Sequence, residues 1–456
     1  MASSALTTDF TKGSIPKLLL AFTLPFMASN ALQVLYSTID MIIVGKYVGS
    51  AGLSAVSQSS SIVNFAAMLC MGFANAGQIL VAQALGAGKR REMSEIIGTL
   101  FCVILMLGAL LTGVILTLKT PLMSMLNMPP ESRDMALTYL IICGAGLLFT
   151  AGYNMVSAVL RGMGDSKRPF LFIAIASLVN LVLDILFTGF LGWGVAGAAA
   201  ATIIGQAVSL VFSICFLYRN RARLGFHFEK KDLRVNRRYA GMILSLGAPM
   251  AVQSGFINLS MLYVNSLVNS AGVIASATFG VGVRIDDIGN KLCLGLQYAA
   301  SPMVGQNIAA GEQKRVRSVV YYTWLFAFIF TIGFILVYAF FGRALFGMFT
   351  DDPEVLALSK TFISAILWSF PAFALMRGSN GFIQGIGNAK LGMVLSILDG
   401  VVLRIGLSWL IGIRMGFGFY GFVLGYALAP YGCVIPGSIY FLSGIWKKRR
   451  VLADAL

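Results

Sequence analysis

The chain has 456 residues, of which 58% are hydrophobic and only 11% charged, with a formal net charge of +16 and a mean hydropathy of +0.84. That composition excludes an ordinary soluble domain, where about a quarter of residues are charged. A single histidine, His227, and six cysteines without paired spacing exclude a His-based metal site, a catalytic triad and a disulfide framework, leaving the cysteines as buried small hydrophobes.

Apolar stretches of about 20 residues or more, the length that crosses roughly 30 Å of hydrocarbon as helix, recur along the chain. Twelve spans are predicted, at 16–45, 53–85, 96–118, 135–160, 169–191, 195–218, 239–268, 274–309, 319–341, 355–383, 391–413 and 418–445. A bilayer cannot satisfy free backbone N–H and C=O groups, and these runs are too long for barrel strands, so they are expected to be α-helices. The start is polar through Asp9 and Thr11, and the first apolar run continues far past a signal-peptide core, so no cleavable signal is expected.

The basic residues are interleaved with the spans rather than gathered on a soluble face, which argues against nucleic acid as a partner. Counted over alternate loops, one side carries 24 Lys and Arg and the other six. The bias predicts a multi-pass protein of the plasma (inner) membrane with both termini in the cytoplasm. The stretch 219–238 holds eight basic residues against Glu229 and Asp232 and reads as a solvated connector near anionic headgroups.

The chain repeats itself at an offset of 223 or 224 residues. Pro25 in LAFTLP returns as Pro249 in LSLGAP, Gln83 and Gly88 return as Gln306 and Gly311, RGMGDSK from Arg161 returns as QGIGNAK from Gln384, and GWGVAG from Gly192 returns as GFGFYG from Gly416. The predicted organisation is therefore a six-helix bundle at 1–218, a cytoplasmic linker at 219–238 and a second six-helix bundle at 239–456. With six spans each, the copies share one topology, and a pseudo-twofold axis along the membrane normal is expected, with a cleft suited to alternating access. The GxGxxG patterns from Gly192 and Gly416 lack a preceding soluble strand and read as tight turns between helices, not as nucleotide sites.

Ionised carboxylates at bilayer depth cost on the order of 2.5–3.5 kcal/mol each, so their presence needs a reason. Asp40 in the first span and Asp184 in the fifth have no basic partner in the same spans. Asn180 lies four residues before Asp184 and shares its helical face, and Thr202 in the sixth span adds a hydroxyl. Such an oxygen-only set suits Na+, and the same carboxylates can take a proton instead. Gln33 and Tyr36 continue a polar stripe towards Asp40 and are substrate-cavity candidates, as are Asn154 and Gln206, which serve equally well as glue between helices. Pro25 removes a backbone hydrogen bond on the helix of Asp40 and marks a gating kink.

Charges in the second half read as self-neutralising. Arg284, Asp287 and Lys291 have favourable three- and four-residue spacings, with Asp286 pointing elsewhere, and Asp399 and Arg404 can meet through their longer side chains, although a five-residue separation is less suitable; buried structural ion pairing is expected, with cargo contact as the second reading. Met27, Met41, Met68 and Met71 are expected to pack, with contact to hydrophobic cargo as the sharper alternative.

The order and spacing of Pro25, TIDMIIVGKYVG, VAQALGAGK, LRGMGDSKRP, GVRIDDIG, VGQNIAAGE and QGIGNAK across nearly the whole chain resemble the multidrug and toxic compound extrusion (MATE) transporters. The resemblance is nearer to the DNA-damage-inducible branch than to the branch with acids in the first and fourth helices of the second bundle, since 239–268 and 355–383 contain none and the latter carries Arg377. It implies a non-enzymatic antiporter, driven by Na+ or H+ and lacking other cofactors, that exports amphipathic, commonly cationic compounds. Asp40, Asn180, Asp184 and Thr202 match positions resembling the family's first-bundle cation site. Cargo molecules and membrane lipids are the expected partners, and a monomer the expected state. A flippase for a lipid-linked substrate is the close alternative. A membrane-embedded transferase is the distant one, for which an Asp-rich metal motif is lacking.

Overall fold

The computed structural model describes residues 7–125, 130–226 and 232–456, with the side chains of Met125, Ser254 and Leu292 also outside the description. His227 and Glu229 lie outside the described residues. The described residues are helical almost throughout, as the length and uniform apolarity of the spans require.

Eight helices are individually long and apolar enough to cross a membrane, and two bent pairs, Pro130–Ala145 with Leu147–Gly162 and Pro353–Ile366 with Ser369–Gly385, pass together. The first helix, Ile15–Gly86, runs for 72 residues but is broken at Gly49, whose φ of 84° is a conformation that only glycine adopts readily. It therefore supplies two segments. Val273–Ala309 is long enough but carries Arg284, Asp286, Asp287 and Lys291, which lower its hydropathy. Counted this way, the described residues contain the twelve crossing-length segments expected from the sequence.

Two compact units form, one of residues 1–9, 24–251 and 456, the other of residues 10–23 and 252–455. Their limits depart from 1–218 and 239–456 in two places. Phe10, Ile15, Leu19 and Phe22 pack with Leu296, Met303 and Trp446 of the second unit. There the Phe10 amide donates to Gln306 Oε1 at 3.0 Å, and its carbonyl accepts from Asn307 and Arg315 at 3.1 and 2.9 Å. The stretch before the second repeat instead lies on the first unit, where Asn236 donates to Glu95 at 2.9 Å and Thr99 to the Arg234 carbonyl at 3.3 Å. In both cases a polar backbone segment is satisfied by side chains at a helix end, as buried backbone groups must be. The passage from one unit to the other falls within two residues of Pro25 and of Pro249.

The glycine-rich turns are what the repeat predicted. Gly192 and Gly194 have φ of 66° and 56°, and Gly416 and Gly418 have 77° and 53°. Of the cysteines, Cys70, Cys143, Cys293 and Cys433 are buried, whereas Cys215 is exposed and Cys102 intermediate, which corrects the reading of all six as core residues.

Candidate cation site

The helix Lys167–Asp184 ends on Asp184 and continues as a π-helix, Ile185–Phe190. A π-helix widens the turn and redirects side chains, a device that recurs at functional sites. Asp184 is 1% exposed, Asn180 4% and Asp40, from the first helix, 9%. Asp40 and Asp184 line one cavity together. As carboxylates they can only accept, and Asp40 Oδ1 and both Asp184 oxygens have no hydrogen-bond donor.

A cavity of about 270 Å³ opens on this pair, with apolar walls from Leu32, Leu35, Leu178 and Leu181 and with no Lys or Arg in its lining. A second hollow, of about 10 Å³, shares Tyr36, Ser177 and Asn180 and adds Thr202 and Gln206. Asn180 Nδ2 donates to Thr202 Oγ1 at 3.5 Å, leaving the amide oxygen for another partner. The geometry thus joins Asp40, Asn180, Asp184, Thr202, Tyr36 and Gln206 in one place.

Gln33 is exposed and Asn154 half-buried, and neither lines these hollows; nor do Met27, Met41, Met68 and Met71. Ser177, not singled out from the sequence, lines both hollows and has a buried hydroxyl without a partner. Its place three residues before Asn180 and seven before Asp184 is the spacing of one helical face, and that pattern would have found it.

The donor set fits a monovalent cation or a proton. Five of the convergent oxygens, on Asp40, Asp184, Ser177 and Gln206, are buried without a partner, and two carboxylates lining one apolar cavity repel unless a positive charge lies between them. No group of three or more His, Cys, Asp or Glu converges among the described residues, so a transition-metal centre has no ligand set there.

At Pro25 the first helix keeps helical dihedrals, its one departure being at Gly49. The proline still removes the hydrogen bond its N–H would make, and Ser29 Oγ donates to the Pro25 carbonyl at 2.9 Å.

The second unit corrects one expectation and bears out another. Lys291 pairs with Asp287 at 2.7 Å, but both side chains are 49% exposed, and Arg284 is exposed and forms no ion pair with a described residue, so the cluster is not buried. Three- and four-residue spacings select a helical face without saying where it points. Asp399 and Arg404, five apart, do pair, at 3.0 Å and with side chains 1% and 8% exposed. They lie on a π-helix, Leu398–Ile405, whose i→i+5 hydrogen bonding brings such residues together.

Residues 25–186 and again 249–410 match the MatE family, in two segments related by the repeat offset. The chain is 29% identical over 446 residues to the probable multidrug resistance protein YpnP of Bacillus subtilis, covering 98% of this chain and 99% of that protein. It is 26% identical over 451 residues to the probable multidrug resistance protein NorM of Thermotoga maritima, covering 96% and 94% respectively. A solved outward-facing structure of a multidrug resistance MATE family transporter of the MOP superfamily shares the fold, with a TM-score of 0.90 over 98% of this chain and 100% of that one, at 21% identity.

Proposed function

The chain belongs to the MatE family of membrane transporters, and on that premise we propose that it is a cation-coupled antiporter exporting amphipathic, mainly cationic small molecules, with the coupling ion held between Asp40 and Asp184. It is a multi-pass multidrug-efflux transporter, not an enzyme. The observation that carries the finer reading is the carboxylate pair, whose three buried oxygens lack donors in a cavity without a basic residue.

The pair supplies the differential affinity that coupling requires. With Na+ or H+ between them, the acids attract the same charge and the first and fifth spans can close on each other. Without it they repel, and a cargo cation can take the place of the ion. Leucines beside the acids suit the apolar part of such a cargo, and Tyr36 lines both hollows next to the pair. At about 270 Å³ the cavity is smaller than the 300–1,000 Å³ usual for drug-sized ligands, so in this arrangement it holds an ion with part of a cargo molecule. Exchange of one monovalent ion for one monocation moves no net charge, whereas each net charge moved would gain about 2.3 kcal/mol per 100 mV.

The absence of acids from Arg237–Ser270 and from Ser369–Gly385, which has Arg377, supports a place in the DNA-damage-inducible branch. The charge bias of 24 to six supports cytoplasmic termini. In proteoliposomes, gradients of Na+ and of pH imposed separately should each be compared for driven efflux. Efflux that responds to neither gradient would remove the antiport reading, and a response to one identifies the ion.

A further inference from the structure

A second cavity in the first unit lies away from the acids and has the opposite polarity. Its volume is about 650 Å³, and its walls include Ile97 and Phe101 of the helix Arg90–Thr117, Met155 of Leu147–Gly162 and Ile214 of Gly194–Arg219. Arg221 and Tyr218 are the two polar residues of its lining. Phe226, which is 2% exposed, and Leu233, both of the basic stretch 219–238, complete the lining.

The rim is cationic and held in place. Arg221 stacks on the Tyr218 ring at 4.4 Å and donates from Nη1 to the Tyr218 carbonyl at 2.8 Å, while its Nε and Nη2 make no hydrogen bond to a described residue. Arg90 reaches the same loop, donating to the Gly225 carbonyl at 3.3 Å, and Arg223 is exposed beside it. A planar guanidinium with free N–H groups matches phosphate oxygens, and a cationic cargo is repelled there.

We propose that this groove is a structural lipid site, in which one acyl chain of an anionic phospholipid lies between the third, fourth and sixth spans and its phosphate bonds to Arg221. The apolar interior selects a hydrocarbon chain, and the guanidinium where the helix Gly194–Arg219 gives way to the basic stretch selects a negative headgroup. The assignment goes beyond a general attraction of the linker to headgroups by specifying one groove, one chain and one guanidinium. It is independent of which ion drives transport.

Native mass spectrometry of the purified full chain in detergent, titrated with equimolar phosphatidylglycerol and phosphatidylcholine, tests it. Phosphatidylglycerol should be retained about tenfold over phosphatidylcholine, whose phosphate can meet Arg221 as well but whose choline cation the basic rim repels, and Arg221→Gln should bring the ratio near unity. Ile214→Trp, which fills the groove, should reduce retention of both lipids. On the unmodified protein, single-chain lysophosphatidylglycerol should compete as well as the two-chain lipid, while inorganic phosphate should not compete. Equal retention of the two lipids, an unchanged preference in Arg221→Gln, or displacement by phosphate alone would overturn the proposal.

Discussion

The two copies of the repeat share a scaffold and differ in how they balance charge. In the first, Asp40 and Asp184 line one cavity with no basic side chain in its lining. In the second, the corresponding positions are Tyr263 or Val264 and Leu407 or Ser408, according to whether the offset is 223 or 224. There the buried acid Asp399 carries its own cation, Arg404, at 3.0 Å. One unit holds its neutralising charge within the fold, and the other must obtain it from solution. Buried charges in a low dielectric require a partner, so on the proposed reading the unit lacking an internal one is where a mobile cation acts.

The largest effect that would break this contrast is on transport. Asp184→Asn keeps the size and hydrogen-bonding capacity of the side chain and deletes the charge, so gradient-driven efflux should fall at least about a hundredfold, more than the two decades that about 2.7 kcal/mol represents, with yield and thermal stability near wild type. Asp40→Asn should match it. Purified variants reconstituted at equal density and assayed under Na+ and proton gradients check both, and undiminished efflux by both would move the ion site out of the first unit.

The next effect is on stability, and it belongs to the second unit. Arg404→Met strands Asp399 without its cation, which should cost about 3–5 kcal/mol and show as lost folded yield and a lower Tm in detergent. Adding Asp399→Leu should restore most of it, because replacing both members of a buried pair is close to neutral. If the double variant folds and still fails to transport, the pair has a part in the mechanism and the contrast between the units weakens.

Much of this was legible in the sequence, for reasons particular to each feature. Length and apolarity specify helices in a bilayer with little ambiguity, and the repeat was readable because turn glycines such as Gly192 and Gly416 cannot drift without losing their positive φ. The acids stood out because an ionised group is expensive in hydrocarbon. The pairing of Asp399 with Arg404 was readable only as a contact between long side chains at an unfavourable spacing, since the spacing rules assume an α-helix and the local helix is π. The second copy has one residue more between Lys390 and Gly416 than the first has between Lys167 and Gly192, and an inserted residue of this kind is what a π-turn absorbs. The crossing of Phe10 onto the second unit was hidden too, because a short polar segment carries no periodicity to show where it docks.

The repeat itself gives a third and smaller test. A Cβ at Gly162 would lie 2.6 Å from the Gln78 carbonyl, and one at Gly385 would lie 2.6 Å from the Ser301 carbonyl, the equivalent contact 223 residues later. Backbone cannot yield as a flexible side chain can, so Gly162→Ala and Gly385→Ala should each cost about 1–3 kcal/mol of overpacking. Thermal unfolding in detergent compares them. Similar losses mean that the units pack alike at this contact and differ only in charge, whereas a loss in one alone means that the scaffolds have diverged as well.

The smallest effect is expected where the sequence pointed to a buried cluster. Asp287 and Lys291 are in contact at 2.7 Å, but half of each side chain is exposed, and Arg284 takes no part. An exposed pair four residues apart on a helix contributes about 0.3–0.5 kcal/mol, because holding two long side chains offsets the Coulomb gain and the surroundings screen it. Asp287→Asn should therefore leave Tm nearly unchanged and efflux near wild type, in contrast to the loss at Arg404. A marked fall in Tm would mean that the pair is shielded in the membrane. The second unit would then depend on two internal ion pairs instead of one, and its charge would be balanced more completely than the pairing of Asp399 with Arg404 alone provides.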